Sequence, residues 1–128
     1  MNKQRILICG DRNWTNKKRL FDVMIRIVRK HDTECIIEGE AKGADTMGRE
    51  FGEYYKIPVL KFPEDWNKYH KGAGPIRNKQ MLMEGLPTLI IGFHNNIDQS
   101  KGTKNMLYLA KNLSVKTLLV TDTEIKEY

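Results

Sequence analysis

Short apolar runs alternate along the chain with segments of helical periodicity. The apolar runs predict strands at residues 5–9, 34–37, 57–62, 88–93 and 115–120. A first helix is predicted from residue 15 onward, because Leu20, Phe21, Met24, Ile27 and Val28 recur at the spacing of one helix face. Further helices are predicted at residues 44–55, 75–84 and 103–112.

This alternation predicts the fold class. Strands that are apolar throughout and separated by helices indicate a parallel sheet covered by helices on both faces. With right-handed crossovers, the result is a doubly wound, Rossmann-like α/β sheet of about five strands, for which we expect the order 3-2-1-4-5. Residues 64–74 are predicted to form a polar loop, and the pattern after residue 120 is weak. No linker divides residues 1–128, which predicts a single domain.

Composition narrows the class of protein. The chain is 40% hydrophobic and 30% charged, which excludes a disordered or fibrous protein. No apolar run is long enough to cross a bilayer, and the start of the chain predicts a strand rather than a signal peptide. We therefore expect a cytoplasmic protein with no membrane partner. Cys9 and Cys35 lie in apolar runs and are expected to be reduced core residues, while His70 and His94 lack metal-ligand spacing. We expect neither a metal nor a cofactor.

The net charge of +6 favours an anionic partner, either a polyanion or a small anionic ligand. Many of the cations crowd the first predicted helix, at Lys17, Lys18, Arg19, Arg26, Arg29 and Lys30. We favour a solvated helix face there and keep nucleic acid as the second interpretation. Tyr54, Tyr55 and Tyr69 are consistent either with a homo-oligomer interface or with packing inside one chain.

Ligands of open α/β sheets bind outside the carboxyl ends of the strands, at the switch point. Strands one and four flank the switch in the expected order, so their loops should dominate the site. Gly10, Arg12 and Trp14 follow strand one. The other loops at this edge are residues 39–45, 65–74 and 94–103.

Glycines follow strand two in the stretch EGEAKGADTMGREFG, residues 38–52. Gly39 and Gly43 would leave a helix N-terminus bare for a phosphate, and Lys42 would add charge. A tight strand-to-helix turn would need the same two glycines. Asp45 would either bind a ligand hydroxyl or favour the first turn of the helix.

A second bare turn, Lys101-Gly102-Thr103, opens the last predicted helix. Thr103 would either cap that helix or donate its hydroxyl to a phosphate. Two such turns at one sheet edge point to phosphate binding more strongly than either turn alone.

Arginine and tryptophan add to the candidate site. Arg77 and Asn78 begin the helix after the third loop, and arginine binds phosphate in a bidentate manner, although a surface arginine would look the same in sequence. Trp14 and Trp66 lie in loops at the predicted site, where each would either cover the core or stack on a base.

Four segments occur in a recognisable order: GDRNW, GEAKGAD, EDWNKYHKGAGPIRNKQML and KGT. Over nearly its whole length the chain resembles the small, single-domain members of the SLOG superfamily, the fold of the Smf/DprA and LOG proteins, and within it the YspA-like (DUF2493) type. The resemblance implies a Rossmann-like sheet that binds a nucleotide or a nucleotide-derived molecule. LOG-type relatives hydrolyse nucleoside 5′-monophosphates, DprA-type relatives bind single-stranded DNA, and others sense nucleotide signals.

The chain departs from the LOG pattern PGGxGTxxE, because its matching segment is NIDQSKGTKNM. Met106 occupies the position of the catalytic glutamate, whereas Arg77 matches an arginine of the LOG family. We therefore expect binding of a nucleotide, as a sensor or a sequestering protein. An N-glycosidic hydrolase or transferase is the alternative, in which Asp45, Glu40 or Asp98 replaces the lost glutamate. DprA-like binding of single-stranded nucleic acid is the further alternative.

Overall fold

The computed structural model describes residues 3–128, which form alternating strands and helices. The strands are β1 (Gln4–Gly10), β2 (Thr33–Glu38), β3 (Val59–Lys61), β4 (Leu89–Phe93), β5 (Lys116–Val120) and β6 (Ile125–Glu127). The helices are α1 (Lys17–Lys30), α2 (Ala44–Tyr54), α3 (Trp66–Tyr69), α4 (Ala73–Gly85) and α5 (Gly102–Asn112). Short 3-10 turns lie at His70–Gly72 and Ile97–Gln99.

The six strands form one sheet in the order β3-β2-β1-β4-β5-β6. Neighbouring strands from β3 to β5 are parallel, and β6 pairs with β5 in the antiparallel direction. The predicted α/β class and the predicted order of the first five strands are confirmed. Because the chain moves outward from β1 to β3 and then returns to β4, the switch point lies between β1 and β4.

Each face of the sheet carries its own core. Alternate residues of β1 point to opposite faces, so Ile6 and Ile8 join one cluster with α1 and α2, while Leu7 joins another with α4 and α5. All five residues of β4 are buried, which agrees with its central position. A strand covered on both faces has little freedom to move, and the polar residues that follow it are held in place.

Three details differ from the sequence prediction. β6 is an extra edge strand, and its three residues are exposed, so no apolar pattern marks it. The predicted polar loop at 64–74 contains α3 and a 3-10 turn, because Asp65 caps α3 by accepting a hydrogen bond from the Lys68 N–H. Helix α4 begins at Ala73, two residues before Pro75.

Within residues 3–128, no helix combines the length and the apolar character that crossing a bilayer requires. Tyr54 and Tyr55 are exposed at the end of α2, and their part in an oligomer interface stays a prediction.

Candidate functional site

A cleft of about 550 Å³ opens at the switch point, beside the carboxyl ends of β1 and β4. Its walls come from the loops after β1 and β3 and from the starts of α4 and α5. The residues predicted from sequence that line it are Gly10, Arg12, Asp45, Trp66, Arg77, Asn78, Lys101, Gly102 and Thr103. The walls carry both cations and acids, with Lys71 joining the predicted cations and Asp11 and Glu64 joining Asp45.

The N-terminus of α5 is open toward this cleft. Ser100 caps the helix, since its Oγ accepts a hydrogen bond from the Thr103 N–H at 3.0 Å. A side chain added at Gly102 would meet nothing within 4 Å. Lys101 is exposed beside it, whereas Thr103 is buried. The turn therefore lines the cleft with no side chain on Gly102 to cover it, while Ser100 binds the Thr103 N–H and takes the capping role considered for Thr103.

Arg77 is a buried arginine rather than a surface one, and its hydrogen bonds to Gly39, Asn78 and Glu64 form what we call the buried brace. Its Nη1 donates to the carbonyl of Gly39 at 2.5 Å, and its Nε donates to Oδ1 of Asn78 at 3.1 Å. Its Nη2 donates to Oε1 of Glu64 at 3.1 Å. A guanidinium group presents donors in a fixed plane, so three acceptors on three segments of chain are held in one geometry.

Asn78 extends this brace to the open turn. Its Nδ2 donates to the carbonyl of Gly102 at 3.2 Å and to Oδ1 of Asn105 at 3.0 Å. The pair Arg77–Asn78 thus ties the loop after β2 to the first turn of α5. The shape of the cleft is set by buried hydrogen bonds before any ligand enters.

The buried side chain of Asp45 stabilises the turn after β2 by hydrogen bonds to its backbone. Its buried Oδ2 accepts hydrogen bonds from the N–H groups of Gly39 at 3.1 Å and Ala41 at 3.2 Å. Burial raises the pKa of this carboxyl, although Arg77 and the two N–H groups act in the opposite direction. The carboxylate takes the backbone donors that a phosphate would have used.

The structure does not bring Gly39, Lys42 and Gly43 to the cleft, which favours the tight-turn interpretation of the two glycines. A Cβ on Gly39 would collide with the guanidinium group of Arg77, and one on Gly43 would collide with the backbone of the loop after β1. Gly43 also has a φ of 72°, which favours glycine. Both glycines make room for the protein's own groups, and Lys42 is exposed outside the cleft.

The two tryptophans have different surroundings. Trp14 is 3% exposed, packs edge-on against Phe93 with 5.7 Å between ring centroids, and donates its Nε1–H to the carbonyl of Asn16. It therefore covers the core and cannot stack on a base in the cleft. Trp66 begins α3, lines the cleft and is 56% exposed. Its ring remains free for stacking.

Two of the three candidate catalytic carboxylates lie outside the cleft. Glu40 is exposed on the loop after β2, and Asp98 is exposed on the 3-10 turn before α5, with Oδ1 3.8 Å from Nζ of Lys104. Neither lines the cleft. Asp45 does, but its Oδ2 is engaged by two backbone donors.

Sequence reasoning missed Asp11 and His94, which follow β1 and β4 directly and line the cleft. Nδ1 of His94 accepts a hydrogen bond from the Asn96 N–H at 2.9 Å, so the neutral ring carries its proton on Nε2. That Nε2 lies 4.0 Å from Oδ2 of Asp11. Their positions immediately after the two central strands were the signal that could have identified them.

Glu64 was also missed, because nothing in the sequence marks its side chain as pointing inward. Its Oε1 accepts from Nη2 of Arg12 at 2.7 Å as well as from Arg77. A Cβ added at Gly74, in the first turn of α4, would lie 3.7 Å from the same oxygen. One carboxylate therefore links the loops after β1 and β3 to the start of α4.

Glu38, at the end of β2, is a buried carboxyl outside the cleft. Its Oε1 accepts a hydrogen bond from the Glu40 N–H at 2.6 Å, and its Oε2 has no hydrogen-bond partner within residues 3–128. Burial raises the pKa of Glu38 to about 7, against the opposing effect of that N–H.

The strand order and the cleft at the switch point define a Rossmann-like α/β protein. The family model described as the YspA, cpYpsA-related SLOG family matches residues 4–69, just over half of the chain. The chain therefore belongs to this SLOG family, and the family predicted from the four motifs is confirmed.

A solved structure shares the fold. DNA processing protein A (DprA) from Streptococcus pneumoniae superposes with a TM-score of 0.72 at 13% sequence identity. The match covers 91% of this chain and 50% of that chain, so the present chain spans about half the length of this relative. No curated protein matches the sequence.

Proposed function

We propose that the protein binds a nucleotide or a nucleotide-derived small molecule in this cleft, as a sensor or a sequestering protein. The open N-terminus of α5 at Gly102 is the observation that carries the proposal. A helix of 11 residues presents free N–H groups and a partial positive charge at this end, and a phosphate is their natural partner. Lys101 adds a full positive charge beside the same turn.

The rest of the cleft suits the other parts of such a ligand. The exposed ring of Trp66 offers a stacking surface for a base. Asp11 and the Nε2–H of His94 offer an acceptor and a donor that sugar hydroxyls can use. A volume of about 550 Å³ lies within the range of small-molecule sites.

Binding without turnover is favoured by the surroundings of α5. Met106, at the position of the LOG glutamate, is fully buried in the core beneath α5. A methionine there supplies neither a proton nor a charge to a reacting sugar. Two of the three acids that line the cleft are engaged, since Glu64 bonds to two arginines and Asp45 bonds to two backbone N–H groups.

Mass spectrometry of the small molecules released by denaturing the purified protein tests the proposal. It is paired with thermal-shift measurements over mono-, di- and cyclic nucleotides. An intact nucleotide, together with stabilisation by related compounds, is the expected result. A free base or a ribose phosphate that accumulates on incubation would instead identify an N-glycosidic hydrolase. No released molecule and no thermal shift would contradict binding.

Single-stranded nucleic acid is the second candidate ligand. The net charge of +6 and the fold shared with a DNA processing protein favour it. Fluorescence anisotropy with a labelled single-stranded oligonucleotide, repeated over a salt series, tests this candidate. Affinity that falls steeply with salt, and competition by the oligonucleotide against mononucleotides, would support it. Binding that is absent would remove it.

A further inference from the structure

Glu64 occupies a position in the cleft that has the chemistry of an anion site. Its Oε1 accepts hydrogen bonds from the guanidinium groups of Arg12 at 2.7 Å and Arg77 at 3.1 Å. The same oxygen lies beside Gly74 in the first turn of the 13-residue helix α4. Two guanidinium groups that converge on one oxygen are partners that proteins use for phosphate. A carboxylate of the protein itself therefore takes the place of a bound anion.

Arg12, Arg77 and Glu64 form one cluster, and the three side chains differ in how many contacts fix them. The Arg77 side chain is only 9% exposed and is fixed by the Gly39 carbonyl and by Asn78. The Arg12 side chain is 61% exposed, so it can follow a ligand. Glu64 lies on the loop between β3 and α3. Within residues 3–128, its backbone N–H and carbonyl form no backbone hydrogen bond of a helix, strand or turn. Glu64 is thus the member that can leave, whereas Arg77 stays in place to receive a new anion.

The position of the cluster connects it to the open turn of α5. Asn78 accepts a hydrogen bond from Arg77 on one side and donates to the carbonyl of Gly102 on the other. The anion position held by Glu64 and the bare turn at Gly102 are therefore two parts of one cleft.

We propose that Glu64 is an internal competitor, which occupies the Arg12–Arg77 position in the ligand-free protein and is displaced by an anionic group of the ligand. The inference rests on the proposed function and adds a regulation of the same site. Because Glu64 must leave before the anion binds, the apparent affinity equals the intrinsic affinity multiplied by the fraction of molecules in which the position is vacant. The charge-assisted hydrogen bonds of Glu64 to two guanidinium groups keep that fraction small.

The test compares the wild-type protein with Glu64→Gln, which removes the negative charge and keeps the size of the side chain. Inorganic phosphate and adenosine 5′-diphosphate, which carries one phosphate for each of the two positions, are each titrated by calorimetry. If the vacant state is below about a tenth of the population, the variant binds both probes at least about tenfold more tightly. Glu50→Gln is the matched control, because Glu50 pairs with Lys17 away from the cleft, and it should bind as the wild type does.

Two further variants keep the proposal testable if Glu64→Gln fails to fold or changes binding for another reason. Glu64→Asp keeps the charge but shortens the reach to both arginines, so it should shift affinity in the same direction by a smaller factor. Adding Arg12→Gln to Glu64→Gln should reverse the gain, because the vacated position then loses one of its two guanidinium groups. Arg12 is exposed, so this change leaves no buried group without a partner.

Equal or weaker binding of phosphate by both Glu64 variants would overturn the proposal. So would weaker binding of the nucleotide alone, since Glu64 would then be a direct contact of the ligand. The proposed function fails in a different way, namely if the nucleotide binds no more tightly than inorganic phosphate in every variant. In that case a gain on Glu64→Gln would still support displacement of Glu64 by an anion.

Discussion

Replacing Arg77 with methionine should destabilise the fold strongly, although Arg77 lies at the candidate site. Methionine fills a similar volume but donates no hydrogen bond. The Gly39 carbonyl and Oδ1 of Asn78 would each lose a buried donor, at a cost of about 1–3 kcal/mol apiece. Glu64 keeps its bond to Arg12, and the desolvation of a buried guanidinium is no longer required, which offsets part of the loss. We expect a net decrease of about 3 kcal/mol in the free energy of unfolding.

Urea denaturation followed by far-ultraviolet circular dichroism measures this change. Arg49→Met is the matched control, because Arg49 pairs only at 3.5 Å with Glu53, whose side chain is 65% exposed. A pair in which one partner is this exposed contributes at most about 1 kcal/mol. If Arg77→Met and Arg49→Met both unfold within about 1 kcal/mol of the wild type, the buried brace is not the interaction that we describe.

Two further predictions concern stability. The raised pKa of Glu38 means that the folded state binds its proton more tightly, so this contribution to stability is complete below the unfolded value of 4.5 and is lost as pH rises through about 7. Between those values the free energy of unfolding should fall by up to about 1.4 kcal/mol per pH unit. In urea titrations at several pH values, Glu38→Gln should make the free energy of unfolding depend less on pH. The same pH dependence in the variant and the wild type would contradict a raised pKa at Glu38. Gly43→Ala should lower the free energy of unfolding by about 2 kcal/mol or more, because φ is 72° and the added methyl meets the backbone of the loop after β1. Gly102→Ala, which meets no atom within 4 Å, is its control, and equal stabilities of the two variants would refute the packing argument.

The order of the central strands could be predicted because their burial leaves a simple signal. β1, β2 and β4 are apolar on both sides, and helical periodicity separates them. The edge of the sheet gave no such signal. Ile125–Glu127 is exposed throughout, and β6 exists because its backbone pairs with β5, which no side-chain pattern records.

Part of the candidate site followed from the same logic, since residues after β1 and at the start of α5 must lie at one edge of the sheet. At Gly39 and Gly43 the sequence left two interpretations open, a phosphate turn and a tight strand-to-helix turn, because both require glycine. A missing side chain makes room for any neighbour, and here the neighbours are Arg77 and the loop after β1 rather than a ligand. Glu64 was missed for a related reason, since its importance comes from two arginines that are distant in sequence.

A nucleotide site at the start of α5 is tested by calorimetric titration of adenosine 5′-monophosphate into the wild-type protein, Gly102→Ala and Gly102→Asp. The methyl group of Gly102→Ala meets no atom of the protein within 4 Å, so this variant should fold as the wild type does and should weaken binding less than Gly102→Asp. The carboxylate of Gly102→Asp would lie at the start of α5, where we propose that the phosphate binds, and should weaken binding by at least about tenfold. Equal affinity of all three proteins would contradict a nucleotide site at this turn.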